Sequence, residues 1–243
     1  MKILLLAGTS EARDLSLALV ARGHVVTASL AGVTRAPRDL GCETRVGGFG
    51  GEQGFRDWLA AHPVDIVIDA THPFATQISE RTARVCADEH IVNLQVRREP
   101  WVPRDEDNWV FINRPEQAKN VIPSRSRVFL ATGRQTLEQF SGLSSCYIFC
   151  RQIDPPDGPF PFANGEFLVG RPPFSVEDEL RLFTELKIDW LVVKNAGGQM
   201  SRSKLDAARQ MGIPVLMINR TDPPDGPIVT TVEAALEWFD AHY

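Results

Sequence analysis

Val64-Asp65-Ile66-Val67-Ile68-Asp69-Ala70-Thr71-His72-Pro73-Phe74-Ala75 joins a short apolar run to a polar turn that opens into a helical pattern. Ile66-Val67-Ile68 has no polar alternation, which suits a strand covered on both faces, as in a parallel sheet. Pro73 fits the first position of the following helix, where its missing N–H costs nothing. Asp69, Thr71 and His72 then stand at the carboxyl end of a strand, where open α/β sheets bind ligands. A plainer reading stays open: Asp69 and Thr71 cap the helix, and His72 is an ordinary surface imidazole.

Outward from this stretch the same strand–turn–helix grammar recurs. Residues 2–7, 24–29, 44–46 and 91–96 read as strands, with helices over 11–22, 52–62 and 74–89 between them. The pattern restarts with strands at 127–131, 146–153, 190–193 and 215–218, a short helix after Gly133-Arg134-Gln135, and helices over 175–187 and 201–211. Each half closes alike, residues 109–112 and 115–121 in the first, 228–230 and 232–242 in the second. The expected fold class is α/β: two Rossmann-like units with mainly parallel sheets and a cleft between them. The expected domains are 1–122 and 123–243. Sequence leaves open whether the closing strands are exchanged between the two.

A chain of 243 residues is long enough for two cores. Net charge of −5 supplies no basic field for nucleic acid or an anionic membrane, so neither is expected as a partner. No apolar run approaches the ~20 residues needed to span a bilayer. Met1-Lys2-Ile3-Leu4-Leu5-Leu6-Ala7 reads as a first strand rather than a signal peptide. Cys42, Cys86, Cys146 and Cys150 form no CxxC and read as free thiols of a cytoplasmic protein. The five histidines are scattered, so no metal is expected.

Ala7-Gly8-Thr9-Ser10-Glu11-Ala12-Arg13 holds the position of a dinucleotide fingerprint but keeps only its first glycine. Free N–H groups and the helix dipole attract anions there, although Glu11 repels a phosphate unless it points away. A purely structural turn is the alternative. At the end of the second strand, NAD-selective folds place a carboxylate for the ribose hydroxyls. Here Ser29 and Arg35 stand in that region without one, which favours NADPH if a nicotinamide cofactor binds. Arg97, Arg98, Arg134, Arg151, Arg171, Lys194, Arg202 and Lys204 recur at turns, strands and helix starts. Several converging on one cleft would suit a ligand with many carboxylates. Solvated or structural arginines are the plainer account of about half.

Several stretches together resemble one family. Gly8-Thr9-Ser10-Glu11-Ala12-Arg13, Asp69-Ala70-Thr71-His72-Pro73-Phe74-Ala75, Arg98-Glu99-Pro100-Trp101, Thr132-Gly133-Arg134-Gln135 and Lys194-Asn195-Ala196-Gly197-Gly198 occur in the order found in precorrin-6A reductases. Ala7 replaces a glycine that members often carry. The resemblance implies an oxidoreductase of cobalamin biosynthesis that transfers hydride from NADPH to the C18–C19 double bond of precorrin-6A, giving precorrin-6B. The substrate is a tetrapyrrole bearing many carboxylates. Cofactor contacts are then expected at Gly8, Thr9, Ser10, Ser29, Arg35 and Thr71, and substrate contacts at Arg98, Arg134, Lys194, Asn195 and Gly197. The cobalt-precorrin-6A reductases of the anaerobic route share these motifs, and a non-catalytic nucleotide-binding module is a further alternative. His72 is the expected catalytic residue: imidazole can donate the proton that must follow hydride addition. A helix N-terminus disfavours imidazolium, so neutral hydrogen bonding to substrate or cofactor is its second possible role.

Overall fold

The computed structural model describes residues 1–32 and 38–243. In chain order it begins β1 (Lys2–Leu6), α1 (Ser10–Ala21), β2 (Val25–Leu30), β3 (Glu43–Val46), α2 (Gly51–Ala61), β4 (Ile66–Asp69), α3 (Thr76–Asp88) and β5 (Val92–Val96). Next come β6 (Trp109–Ile112), a 3₁₀ segment (Pro115–Asn120), β7 (Arg127–Leu130), a second 3₁₀ segment (Arg134–Leu143), β8 (Tyr147–Gln152) and β9 (Gly165–Val169). The remainder is α4 (Val176–Leu186), β10 (Trp190–Lys194), α5 (Ser203–Gln210), β11 (Val215–Ile218), β12 (Ile228–Val229) and α6 (Val232–His242).

The strands form two parallel sheets, ordered β12-β5-β4-β1-β2-β3 and β6-β11-β10-β7-β8-β9. Parallel neighbours need long crossovers, most of them supplied by the intervening helices and 3₁₀ segments, whereas the loop 153–164 joins β8 to β9. All residues of β4 and β11 are buried, as are Ile3 to Leu6 of β1, because both faces of each sheet are covered. Burying each such Leu, Ile or Val side chain stabilises the fold by roughly 1.5–3 kcal/mol.

The chain divides into one unit of Met1–Glu99 with Thr221–Tyr243 and another of Pro100–Arg220. This differs from the expected division after residue 122. β6 pairs with β11, Val215 beside Trp109 through Ile218 beside Ile112, and so belongs to the second sheet. β12 pairs with β5, Ile228 beside Gln95, in the first. Sequence placed residues 109–112 with the elements before them. A buried central strand such as β11 needs a hydrogen-bonded neighbour on each side, and β6 provides the second one.

Both sheets have the doubly wound order, with the switch point between β1 and β4 in the first and between β7 and β10 in the second.

Candidate active site

In the first unit the switch point is closed by a threonine. Thr9 is the N-cap of α1: its Oγ1 accepts the Ala12 N–H at 3.1 Å and donates to the Ala70 carbonyl at 2.8 Å. The turn after β1 is thereby tied to the turn after β4. Gly8 holds φ +150°, and a Cβ built there would meet nothing within 4 Å, so backbone and open space face each other. Ser10 Oγ donates to Glu11 Oε2 at 3.0 Å. The Arg98 guanidinium donates to the same carboxylate oxygen at 2.8 Å. Burial pushes the Glu11 carboxyl up, but its backbone N–H, Arg98 and Ser10 outweigh this and hold it below its ordinary value. The carboxylate expected to repel a phosphate is therefore matched by a guanidinium.

The turn after β4 departs from expectation. α3 begins at Thr76, and Pro73 lies in a β-turn closed by the Ala75 N–H on the His72 carbonyl at 2.7 Å. Proline is favoured at the second position of such a turn, which is as compatible with its fixed φ as a helix start. Asp69 does not cap the helix; Oδ1 accepts from the Thr71 N–H at 3.0 Å and the Thr71 hydroxyl at 2.6 Å. His72 Nδ1 accepts the Phe74 N–H at 3.3 Å, which leaves a neutral ring's proton on Nε2. Asp69, Thr71 and His72 line a cleft together with Gln95, Arg97 and Asp222. Arg97 donates to the Thr221 carbonyl at 2.5 Å. Burial lowers its guanidinium pKa, against the attraction of Asp222 and Asp69.

Ser29, at the end of β2, is buried and accepts a hydrogen bond from Arg45 at 2.7 Å. Arg35 lies outside the described residues. Arg45 also donates to the Gly47 and Gly48 carbonyls at 3.0 and 3.1 Å and lies 3.9 Å over the Phe49 ring. Arg81 of α3 approaches Phe49 at 5.4 Å and Phe55 at 4.7 Å. Sequence reasoning passed over Arg45 and Arg81. The one available signal was Arg45's place in a short strand beside β2, where parallel register sets it next to Ser29.

The substrate residues expected in the second unit have different surroundings. Arg134 pairs with Asp157 at 3.0 Å on the surface. Lys194 ends β10, and burial lowers its ammonium below the ordinary lysine value. Asn195 is buried and internal: its Oδ1 accepts the Trp101 N–H at 2.7 Å and its Nδ2 donates to the Trp101 carbonyl at 3.0 Å. The amide thus holds the Trp101 backbone at both its N–H and its carbonyl. Gly197 is buried and itself holds φ +68°. Arg98 likewise carries an internal partner in Glu11 rather than an uncompensated charge.

Cys86, Cys146 and Cys150 are buried and free, and burial pushes Cys86 and Cys150 up to about 12, far from a reactive thiolate. Cys42 is half-buried and accepts from Ser16 at 3.1 Å. Among the described residues, no group of three or more potential ligands could hold a metal, and no helix is long and apolar enough to cross a membrane.

The family described as precorrin-6x reductase CbiJ/CobK matches residues 2–240. A precorrin-6A reductase of Rhodococcus erythropolis is 42% identical over 240 residues, spanning 98% of this chain and 96% of that protein. One from Rhodobacter capsulatus is 38% identical over 242 residues, spanning 99% and 96%. A solved structure of CobK precorrin-6A reductase superposes with a TM-score of 0.94 at 37% identity, covering 100% of this chain and 97% of the other. With a match running from the first strand to the last helix, the chain belongs to the precorrin-6x reductase family.

Proposed function

We propose that this chain reduces precorrin-6A with NADPH, in cobalamin biosynthesis. The observation that carries the nucleotide side is the switch point of the first unit. Thr9 ties the two turns together, Gly8 leaves its backbone open, and the α1 N-terminus offers N–H groups and a positive dipole end. These features fit a pyrophosphate, and the Glu11–Arg98 pair removes the objection of an unbalanced carboxylate. Ser29, with Arg35 in the same region, gives the ribose end no acid to select NADH.

When bound, NADPH supplies the hydride and leaves as NADP⁺; a proton completes the reduction of the C18–C19 bond. The chain's own task is to bind, orient and balance charge. Thr71, fixed by Asp69, keeps the turn after β4 in shape beside the cofactor position. His72, with Nδ1 accepting from Phe74, acts as a neutral Nε2–H donor toward substrate or cofactor, and solvent delivers the proton. Arg134, Lys194 and the backbone at Gly197 engage acetate and propionate carboxylates of the macrocycle. Arg98 and Asn195 act one step back, through Glu11 and Trp101. The protein is expected in the cytoplasm.

The test is anaerobic incubation with precorrin-6A and NADPH deuterated at the transferred position, followed by absorbance and product mass. One deuterium and one solvent hydrogen per product are expected. NADPH oxidation without a reduced macrocycle, or turnover of the cobalt-loaded substrate alone, would overturn the assignment.

A further inference from the structure

We propose that Thr132 and Gln152, together with Lys194, form a subsite for one carboxylate arm of the tetrapyrrole; this rests on reading the chain as a reductase of precorrin-6A. Register comes first. Val192, Leu130 and Cys150 stand side by side on β10, β7 and β8. Lys194, Thr132 and Gln152 lie two residues further along each, at the carboxyl end of the second sheet. Strand alternation has a period of two, so Lys194 and Gln152 return to the face of Val192 and Cys150. The Ala131 N–H on the Val192 carbonyl at 2.9 Å carries the ladder up to Thr132, which stands between them in the strand order.

Hydrogen bonding comes second. Gln152 is 6% exposed and Thr132 is 8% exposed. Among the described residues, neither amide atom of Gln152 has a hydrogen-bond partner, and neither does the Thr132 hydroxyl. A buried polar group without a partner is costly, and two on adjacent strands mark a place where a ligand completes the bonding. Asn195, one residue beyond Lys194, shows the contrary case in the same unit: a buried amide with both ends used on the Trp101 backbone.

Space and charge come third. A Cβ built on Gly133, next to Thr132, would meet nothing within 4 Å, so the turn is open on that side. The 3₁₀ segment that follows has no side-chain cap and brings little aligned dipole. The positive charge is therefore that of Lys194, whose ammonium is disfavoured by burial and would be favoured again beside an anion. An ammonium, a hydroxyl and an amide N–H are all donors, and the two oxygens of a carboxylate accept from all three. The Gln152 carbonyl is in turn an acceptor for the Lys194 ammonium, which has three donors to share.

The test is anaerobic steady-state kinetics with precorrin-6A, and urea unfolding of the same proteins, for Thr132→Val and Gln152→Met in the full chain. Both substitutions nearly keep the shape of the side chain and remove its polar atoms. Each should raise KM for precorrin-6A by about tenfold or more, the worth of a hydrogen bond to a charged group, with kcat and KM for NADPH within about twofold. The urea midpoint should stay or rise, because an unpartnered polar group is removed from a buried place. A lowered midpoint would show that these groups are bonded within the chain, and it overturns the subsite. A KM for precorrin-6A within about threefold of wild type overturns it as well, whatever the midpoint, and leaves the reductase reading standing. Wild-type protein that does not reduce precorrin-6A overturns that reading itself.

Discussion

The two units share one strand order and part company at the turn after their first central strand. In the first, β1 passes through Gly8 and Thr9 into α1, a helix of 12 residues with a side-chain cap. In the second, β7 passes through Gly133, at φ +77°, into a 3₁₀ segment with no side-chain cap. A tight helix with poorer hydrogen-bond geometry offers a weaker aligned dipole than an α-helix of similar length. The same topology therefore puts the N-terminus of a capped α-helix at the switch point of one unit and an uncapped 3₁₀ start at the matching place in the other. Topology provides a crevice, and the local turn decides whether it is electropositive.

The arginines differ in the same sense. Arg151 meets Glu179 through two hydrogen bonds of 2.7 and 2.6 Å, with the carboxylate 1% exposed. Arg202 and Arg209 share Asp206 and lie near Asp107. These cations serve the second unit's own structure. Among the described residues, Arg45 and Arg81 of the first unit have only neutral or aromatic neighbours in contact.

Three perturbations break or sharpen this contrast. Glu179→Ala should have the largest effect, because it leaves the Arg151 charge buried over Phe129 and Phe174 without a partner. Loss of about 3–5 kcal/mol in urea unfolding is expected. A loss under about 1 kcal/mol would show that this pair is not structural. Asn195→Ala ranks next: it strips both backbone partners from Trp101, and about 1–3 kcal/mol should be lost with a shift in tryptophan emission. Unchanged emission and stability would return Asn195 to the list of substrate contacts.

The smallest effect is pH-dependent. Glu11 is held below its ordinary value of 4.5 in the folded chain. A depressed carboxyl contributes stability above its unfolded range and loses it as pH falls through the folded value. Wild type should exceed Glu11→Gln by less than about 1 kcal/mol near neutrality, because the pair is partly solvated. That difference should vanish on acidification below the ordinary range. A difference that grows toward low pH would reverse the assigned sign.

What the sequence determined by itself was the class of fold, the order of its elements and several of their ends. The run Ile66-Val67-Ile68 and the helix at Val232–His242 were readable because apolar periodicity and caps act over a few residues. The motif blocks also placed Thr9, Thr71 and His72 at strand ends, where the structure has them. Tertiary structure alone decided which sheet receives β6 and β12, since parallel register is set by partners more than a hundred residues apart. It also decided how charges are matched. Arg98 and Glu11 are 87 positions apart, and Asn195 and Trp101 are 94. Ion pairs and buried amides are chosen by proximity in space, which no local pattern encodes. For the same reason Arg45 reads as an ordinary strand residue until β3 lies beside β2 and sets it against Ser29.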